Sequence, residues 1–278
     1  PPRSTLFPYT TLFRSGYAPR PDVGIPGRDS AGAPADPRGG WLLQRVSSDY
    51  GPLEGPLTVM RMAECSLKRP GAVAFELAEG RVGRSAGLLV SLLLGGFAIH
   101  GLLVGLFAGG HQIWAAPVKV MLGAVASALI CLPSLYVLAC VSGSRVSAGQ
   151  ASRLMLQSLA LAAVLLVAFA PVAWLFTEST ESVGFMSVLH MVLWGAVAAV
   201  GIRLLGATLR RVGGRKVAFL GAWGVMFLVV TLQMCTTLRP LVGPYEGWLQ
   251  PGRKSFVGHW MDVVHEPRAV PASRRVTP

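Results

Sequence analysis

The sequence predicts an all-α membrane protein, a bundle of five transmembrane helices with its N-terminus inside and its C-terminus outside. The 278 residues are 52% hydrophobic and only 14% charged, whereas a soluble domain usually carries about 25% charged residues. Apolar residues concentrate between residues 86 and 239, while residues 1–85 are rich in Pro, Gly and Arg. Lysine and arginine fall mainly on alternate connections between the apolar segments. These three observations favour a polytopic membrane protein over a soluble enzyme.

The N-terminal segment divides into three parts. Residues 1–15, PPRSTLFPYTTLFRS, resemble the translation of an adapter used in short-read DNA sequencing, so we expect them to be an artefact. Residues 16–61 contain too few large apolar residues to support a core, which predicts a disordered or non-native leader. Met60 and Met62 are both candidate start residues, and residues 62–85 are interpreted as a cytoplasmic flank.

Five apolar segments are long enough to cross about 30 Å of hydrocarbon, which takes about 20 helical residues. None of them contains Asp or Glu, and the connections between them are short, which predicts antiparallel neighbours within a transmembrane domain spanning residues 86–240. The five predicted spans are Ala86–Gly109, Val118–Val141, Leu154–Phe176, Phe185–Leu205 and Val217–Leu238.

The distribution of Lys and Arg predicts the orientation, because these residues are retained on the cytoplasmic side of the membrane. One side carries eleven cations, which are Arg61, Lys68, Arg69, Arg81, Arg84, Arg145, Arg153, Arg210, Arg211, Arg215 and Lys216. The other side carries at most four, which are Lys119, Arg239, Arg253 and Lys254. The N-terminus is therefore predicted to lie inside.

The tail, residues 241–278, is predicted to lie outside the membrane. Within it, residues 254–265 place Phe256, Trp260 and Val263 on one helical face, which is typical of a short interfacial helix.

The sequence excludes several classes of function. A pI near 10.4 could indicate nucleic-acid binding, but the cations lie at helix ends where membrane insertion requires them, so we expect no nucleic-acid partner. The chain has no Walker loop, no HExxH and no CxxC motif. We therefore predict no enzymatic activity, no catalytic or cofactor-binding residue, no cofactor and no metal.

Gly101, Gly105 and Gly109 form a GxxxGxxxG row in the first span. Such a row makes a flat helix face that a second backbone can approach closely. It indicates either contact with a membrane-protein partner or a homodimer through the first span, or packing within the chain against small residues of the fourth span, Gly195 and Ala199.

Polar residues and prolines inside the spans are the other candidate functional features. His100 and His190 are predicted to lie at similar depth in the outer half of the bilayer, and Gln233 lies near the end of the last span. Ionisable groups at such depth are candidate functional residues, but neutral histidines that hydrogen-bond between helices are the favoured interpretation. Pro133 and Pro171 are predicted to kink the second and third spans.

Three stretches resemble an uncharacterised family of bacterial polytopic membrane proteins: Gly109–Lys119, Cys131–Val137 and Gln233–Pro240. The most specific is a QMxxTLRP signature that closes the last span, carried here by Gln233, Met234, Thr237, Leu238, Arg239 and Pro240. The resemblance implies a multi-pass protein of the bacterial inner membrane and supplies no catalytic residue. The predicted topology also resembles that of the Yip family of trafficking proteins.

These observations favour a non-enzymatic accessory or scaffold subunit that acts in the lipid bilayer through helix–helix contacts. The alternative is a small-solute or ion permease with a pathway near the intramembrane histidines and proline kinks. An enzyme that acts on lipid is a third hypothesis, and the titratable residues on the outer side form no catalytic motif that supports it.

Overall fold

The computed structural model describes residues 40–79, 82–141, 143, 146–211 and 219–237, and every regular element in these ranges is an α-helix. The helices are α1 (Gly40–Ser48), α2 (Val59–Lys68), α3 (Pro70–Ala78), α4 (Val82–Ala108), α5 (Gln112–Val141), α6 (Ala148–Ala168), α7 (Ala170–Ser179), α8 (Val183–Arg211) and α9 (Phe219–Thr237). The predicted all-α class is confirmed.

Four of these helices, α4, α5, α6 and α8, are long and apolar enough to cross a membrane, with lengths of 27, 30, 21 and 29 residues. They agree with the first four predicted spans and make the chain a multi-pass membrane protein by length and composition. The fifth predicted span, Val217–Leu238, coincides with α9, but its two ends lie outside the described residues.

The two prolines predicted to cause kinks have different effects. Pro171 lies in the first turn of α7, and the preceding helix α6 ends at Ala168, so the third predicted span is two helices joined at Phe169. Proline lacks an N–H and crowds the carbonyl one turn earlier, which explains why the helix ends there. Pro133 lies inside α5, which continues through it. Beside Pro133, the Ser134 hydroxyl donates to the Cys131 carbonyl at 2.7 Å.

Helix α4 is the central element of the bundle, packing against both α5 and α6. The largest cluster of buried apolar side chains joins α4, α5, α6, α8 and α9, and it includes Phe97, Leu135, Leu166 and Trp223. The α4–α5 connection is a tight turn in which Gly109 and Gly110 have φ of 73° and 56°. This left-handed conformation favours glycine because it has no Cβ.

Helices α1 to α3 form an N-terminal layer, residues 40–79, that packs against α4, α6 and α8. Residues 40–61, which we expected to be a disordered or non-native leader, contribute α1 and buried side chains to it. Val46, for example, packs against Leu161 of α6 and Leu204 of α8. Residues 62–79 of the predicted flank are also mainly helical, and Met62 is fully buried.

Hydrogen bonds from distant residues hold the N-terminal layer to the bundle. Gln157 Nε2 donates to the Pro70 carbonyl at 2.8 Å, and Arg153 Nη1 donates to the Leu77 carbonyl at 2.7 Å. Both acceptors are backbone carbonyls at the two ends of α3, so α6 fixes α3 at two points. Within the layer, the buried Glu76 carboxylate accepts from the Leu53 N–H at 2.9 Å.

Tyr50 joins the layer to the end of α8. Its hydroxyl donates to Glu79 Oε1 at 2.9 Å, and the Arg211 guanidinium lies 4.6 Å from the centre of its ring. Burial and the neighbouring Glu79 carboxylate raise the pKa of Tyr50, so its hydroxyl keeps the proton that it donates.

We predict that Gly71→Ala loosens the N-terminal layer, because a Cβ at Gly71 would collide with the Val46 carbonyl oxygen and displace α1 from α3. Overpacking of this kind destabilises by about 1–3 kcal/mol. Limited proteolysis should therefore cleave Gly71→Ala faster than the parent within residues 40–58. Gly51→Ala is the matched control, since a Cβ there meets nothing within 4 Å. Equal protection of both variants would contradict the packing of α1 on α3.

Candidate functional site

Two of the three glycines in the predicted row lie at a contact between helices, and the third lies in a turn. A Cβ at Gly101 would lie 2.5 Å from Pro117 Cα, and one at Gly105 would lie 2.5 Å from the Gln112 carbonyl oxygen. Both glycines therefore allow the α5 backbone to contact α4 directly. Gly109 lies in the connection, where a Cβ would meet nothing within 4 Å. The neighbour of this row is α5 of the same chain, and not the fourth predicted span.

A second row of small residues lies exposed in the N-terminal half of α4. We call Gly83, Gly87, Ser91 and Gly95 the outer small-residue row; they recur at every fourth position and all four are exposed. A Cβ at any of its three glycines would meet nothing within 4 Å among the described residues. The Ser91 hydroxyl donates to the Gly87 carbonyl of its own helix at 3.1 Å. Sequence analysis missed this row, although its four-residue spacing is the same as that of the buried one.

The imidazole rings of His100 on α4 and His190 on α8 contact each other. Their ring centres are 5.2 Å apart, and the planes are nearly perpendicular at 84°. Both side chains are buried, with exposed fractions of 1% and 7%. Trp194 Nε1 donates to His100 Nε2 at 3.1 Å. A nitrogen that accepts a hydrogen bond carries no proton, so this contact assigns the His100 proton to Nδ1.

Trp194 is the member of this group that sequence analysis missed. It follows His190 by four residues, so both side chains lie on one face of α8. Its ring also stacks on Phe97 of α4, with centres 5.4 Å apart and an angle of 14° between the planes. The available signal was the (i, i+4) spacing of histidine and tryptophan in the fourth predicted span.

The two ring nitrogens of His190 are buried and make no hydrogen bond to the described part of the chain. A buried polar group without a partner is destabilising by about 1–3 kcal/mol. Such groups are uncommon in folded proteins, and each one indicates strain, a functional role or a bound partner. His190 is therefore a candidate ligand-binding side chain, as are Ser85 and Ser127, whose buried hydroxyl oxygens also have no partner among the described residues.

Gln233 does not belong to this group. It is exposed on α9, which packs against α5 and α8 and not against α4 within the described residues. Met234 and Thr237 of the family-like signature lie in the last turn of α9, whereas Leu238, Arg239 and Pro240 lie outside the described residues.

Lys119 is the other polar residue that the structure places unexpectedly. We counted it as a cation just inside the second span, and it is 1% exposed within α5.

Within the described ranges, no three His, Cys, Asp or Glu residues lie close enough together to hold a metal ion.

An apolar cleft runs between α8 and α9 beside the histidine pair. Its floor consists of buried residues of α4, α5 and α6, including Phe97, Ala124 and Met155. Its half-buried lining residues on α8 and α9 are Trp194, Ala198, Ile202, Phe227 and Leu228, and Ala162 of α6 is half-buried as well.

Comparison with known proteins identifies no relative: no protein-family model, no curated protein and no solved structure matches this chain. The resemblance to the QMxxTLRP family therefore stays a prediction.

We predict opposite effects for alanine at the two glycine rows of α4. Gly101→Ala should destabilise the bundle by about 1–3 kcal/mol, because the new methyl group overlaps the α5 backbone. Gly95→Ala, six residues away in the same helix, should be neutral or stabilising by up to about 1 kcal/mol, since alanine has the higher helix propensity. Thermal unfolding in mild detergent measures both. An equal loss of stability in the two variants would contradict the assignment of the buried row.

Proposed function

We propose that this chain is a non-enzymatic accessory or scaffold subunit of the bacterial inner membrane that binds another transmembrane helix through α4. The observation that carries the proposal is the outer small-residue row, which no other described residue of the chain covers. In lipid, helices associate through small residues that allow close backbone approach. The buried row demonstrates that this helix already packs in that way further along its length, at Gly101 and Gly105.

The surroundings of the outer row support a helix as its occupant. Val90, Ile99 and Leu102 lie beside the row and are 41%, 46% and 38% exposed. These large apolar side chains can pack around a second helix while the glycines accept its backbone. On α5, by contrast, most exposed positions carry large apolar residues, such as Leu122, Leu129 and Val137, which suits contact with lipid chains.

The proposed topology has five spans, with α9 as the fifth, the N-terminus inside and the C-terminus outside. Contacts at the N-terminal layer support this orientation. Arg84 donates to the Leu57 carbonyl at 3.0 Å, and Arg153 and Arg211 contact the same layer. Cations from three separate parts of the chain thus meet at one end of the bundle, as the retention of Lys and Arg in the cytoplasm requires.

The permease alternative has one observation in its favour, which is the buried contact between His100 and His190. If the chain is a permease, replacing both histidines with leucine abolishes solute flux into liposomes without changing the recovery of a partner helix. The accessory-subunit proposal expects no solute flux to depend on the histidines.

We predict that Gly87→Leu combined with Gly95→Leu abolishes association without unfolding the chain. Leucine at both positions keeps the second backbone away, while a Cβ at either position meets nothing within 4 Å among the described residues. The measurement is affinity purification from membranes in mild detergent, followed by quantitative mass spectrometry and native mass determination. The parent chain should retain a stoichiometric membrane partner or a second copy of itself, and the double variant should lose it.

Gly195→Leu is the control, because Gly195 is an uncovered glycine on α8 rather than α4. This variant should keep the associated helix at the level of the parent chain. Purification of the parent as a monomer without a membrane partner, or equal loss in the α8 control, would contradict the proposal.

A further inference from the structure

Helix α2 of the N-terminal layer has a buried face and an exposed apolar face. Met62 and Cys65 are buried against the rest of the chain. Met60 is 80% exposed, and Val59 and Leu67 are exposed as well. Successive helical residues are about 100° apart, so Met60 and Leu67 lie on one line, roughly opposite the buried residues. A row of exposed apolar side chains is typical of a surface that a membrane or a second protein covers.

The exposed large apolar side chains of this layer are confined to α2 among the side chains that the structure describes. On α1 the exposed positions are polar instead, and they are Gln44, Arg45, Ser47 and Ser48. The exposed side of α1 therefore suits water, whereas that of α2 suits an apolar environment.

The buried face of α2 contacts the bundle inside the predicted spans. Met62 belongs to one apolar cluster with Leu89 of α4 and Ala160 of α6. The first and third predicted spans begin at Ala86 and Leu154, so these two contacts lie about 5 Å and about 9 Å beyond the start of a span. An amphipathic helix in the membrane plane buries its apolar face about 5–10 Å into the boundary between headgroups and acyl chains. Helix α2 is therefore at the depth of that boundary.

Cations line one edge of the apolar face. Arg61 and Lys68 are seven residues apart, which places them on the same flank of the helix, and Arg69 follows at its end; all three are exposed. Glu64 is the one acidic residue of α2, and its carboxylate pairs with Lys68 Nζ at 2.9 Å. Arg61 makes no ion pair with the described residues, so its charge is available to an anion outside the chain.

We propose that α2 lies in the plane of the membrane surface and binds anionic phospholipid, with Met60 and Leu67 among the acyl chains and Arg61 against the headgroup phosphate. Anionic phospholipid is the occupant that supplies both an apolar phase and a negative charge at this depth. The surface belongs to α2 and not to the outer small-residue row of α4. Its test uses the purified chain with lipid alone, so the result does not depend on a partner helix.

The first test is lipid cross-linking of the full chain in vesicles of four parts phosphatidylcholine to one part phosphatidylglycerol. A photoreactive phenylalanine analogue replaces Met60 or Leu67, or Ser47 of α1 as the matched control. All three positions are exposed, so none of the replacements disturbs the core. Lipid adducts, counted by mass spectrometry, should form at least about fivefold more from positions 60 and 67 than from position 47, because only α2 faces the acyl chains.

The second test measures the choice of headgroup with the photoreactive residue at Met60. The ratio of anionic to neutral lipid in the adducts should exceed the ratio in the bilayer about fivefold, which is the effect of one cation near an anionic surface. Arg61→Gln should remove this enrichment, and Arg61→Lys should keep it. Arg45→Gln, which removes an exposed cation from α1, should also leave it unchanged.

Three results would overturn the proposal. The first is an equal yield of lipid adducts from position 47 and from positions 60 and 67. The second is a ratio of anionic to neutral adducts in the parent that equals the ratio in the bilayer. The third is an equal loss of enrichment in Arg61→Gln and Arg45→Gln.

Discussion

The bundle depends on the close approach of α4 to its two neighbours. Gly101 and Gly105 allow α5 to contact its backbone, and a Cβ at Gly96 would lie only 2.8 Å from the Ala163 side chain of α6. In lipid no hydrophobic effect drives helices together, so dispersion contacts and interhelical hydrogen bonds must supply the association. Helix α4 gains those contacts by having glycine where α5 and α6 approach it most closely.

This central contact determines where the remaining features lie. With α5 and α6 held against α4, the His100 side chain extends to α8, where His190 and Trp194 meet it. The same arrangement leaves the outer row of α4 uncovered and places Phe97 at the floor of the cleft. The N-terminal layer then packs on one end of the bundle, fixed by Gln157 and Arg153 of α6.

Hydropathy predicted the long helices because span length is a local property, but features that depend on partners were not predictable. The buried and outer glycine rows have the same four-residue spacing, and only the position of α5 distinguishes them.

Helix α3 is nine residues long, which is too short to span a membrane. Its burial depends on hydrogen bonds from residues that are 76 and 87 positions away in the sequence. Likewise, Pro133 and Pro171 each remove one backbone hydrogen bond, yet α5 continues through Pro133 whereas α6 ends before Pro171. The two histidines were candidates because polar residues are rare in apolar segments, whereas Trp194 carries no such signal, and the contact between the three rings depends on how α4 and α8 pack.

The most direct test of whether α4 binds a second helix is photo-cross-linking in native membranes of chains with one photoreactive phenylalanine analogue, placed at Val90 or Ile99 beside the outer row, or at the exposed Val192 of α8 as the control. If a second helix contacts the outer row, a cross-linked species of higher mass should form from positions 90 and 99 and none from position 192. Cross-linking from position 192 alone, or none from positions 90 and 99, would contradict the proposal.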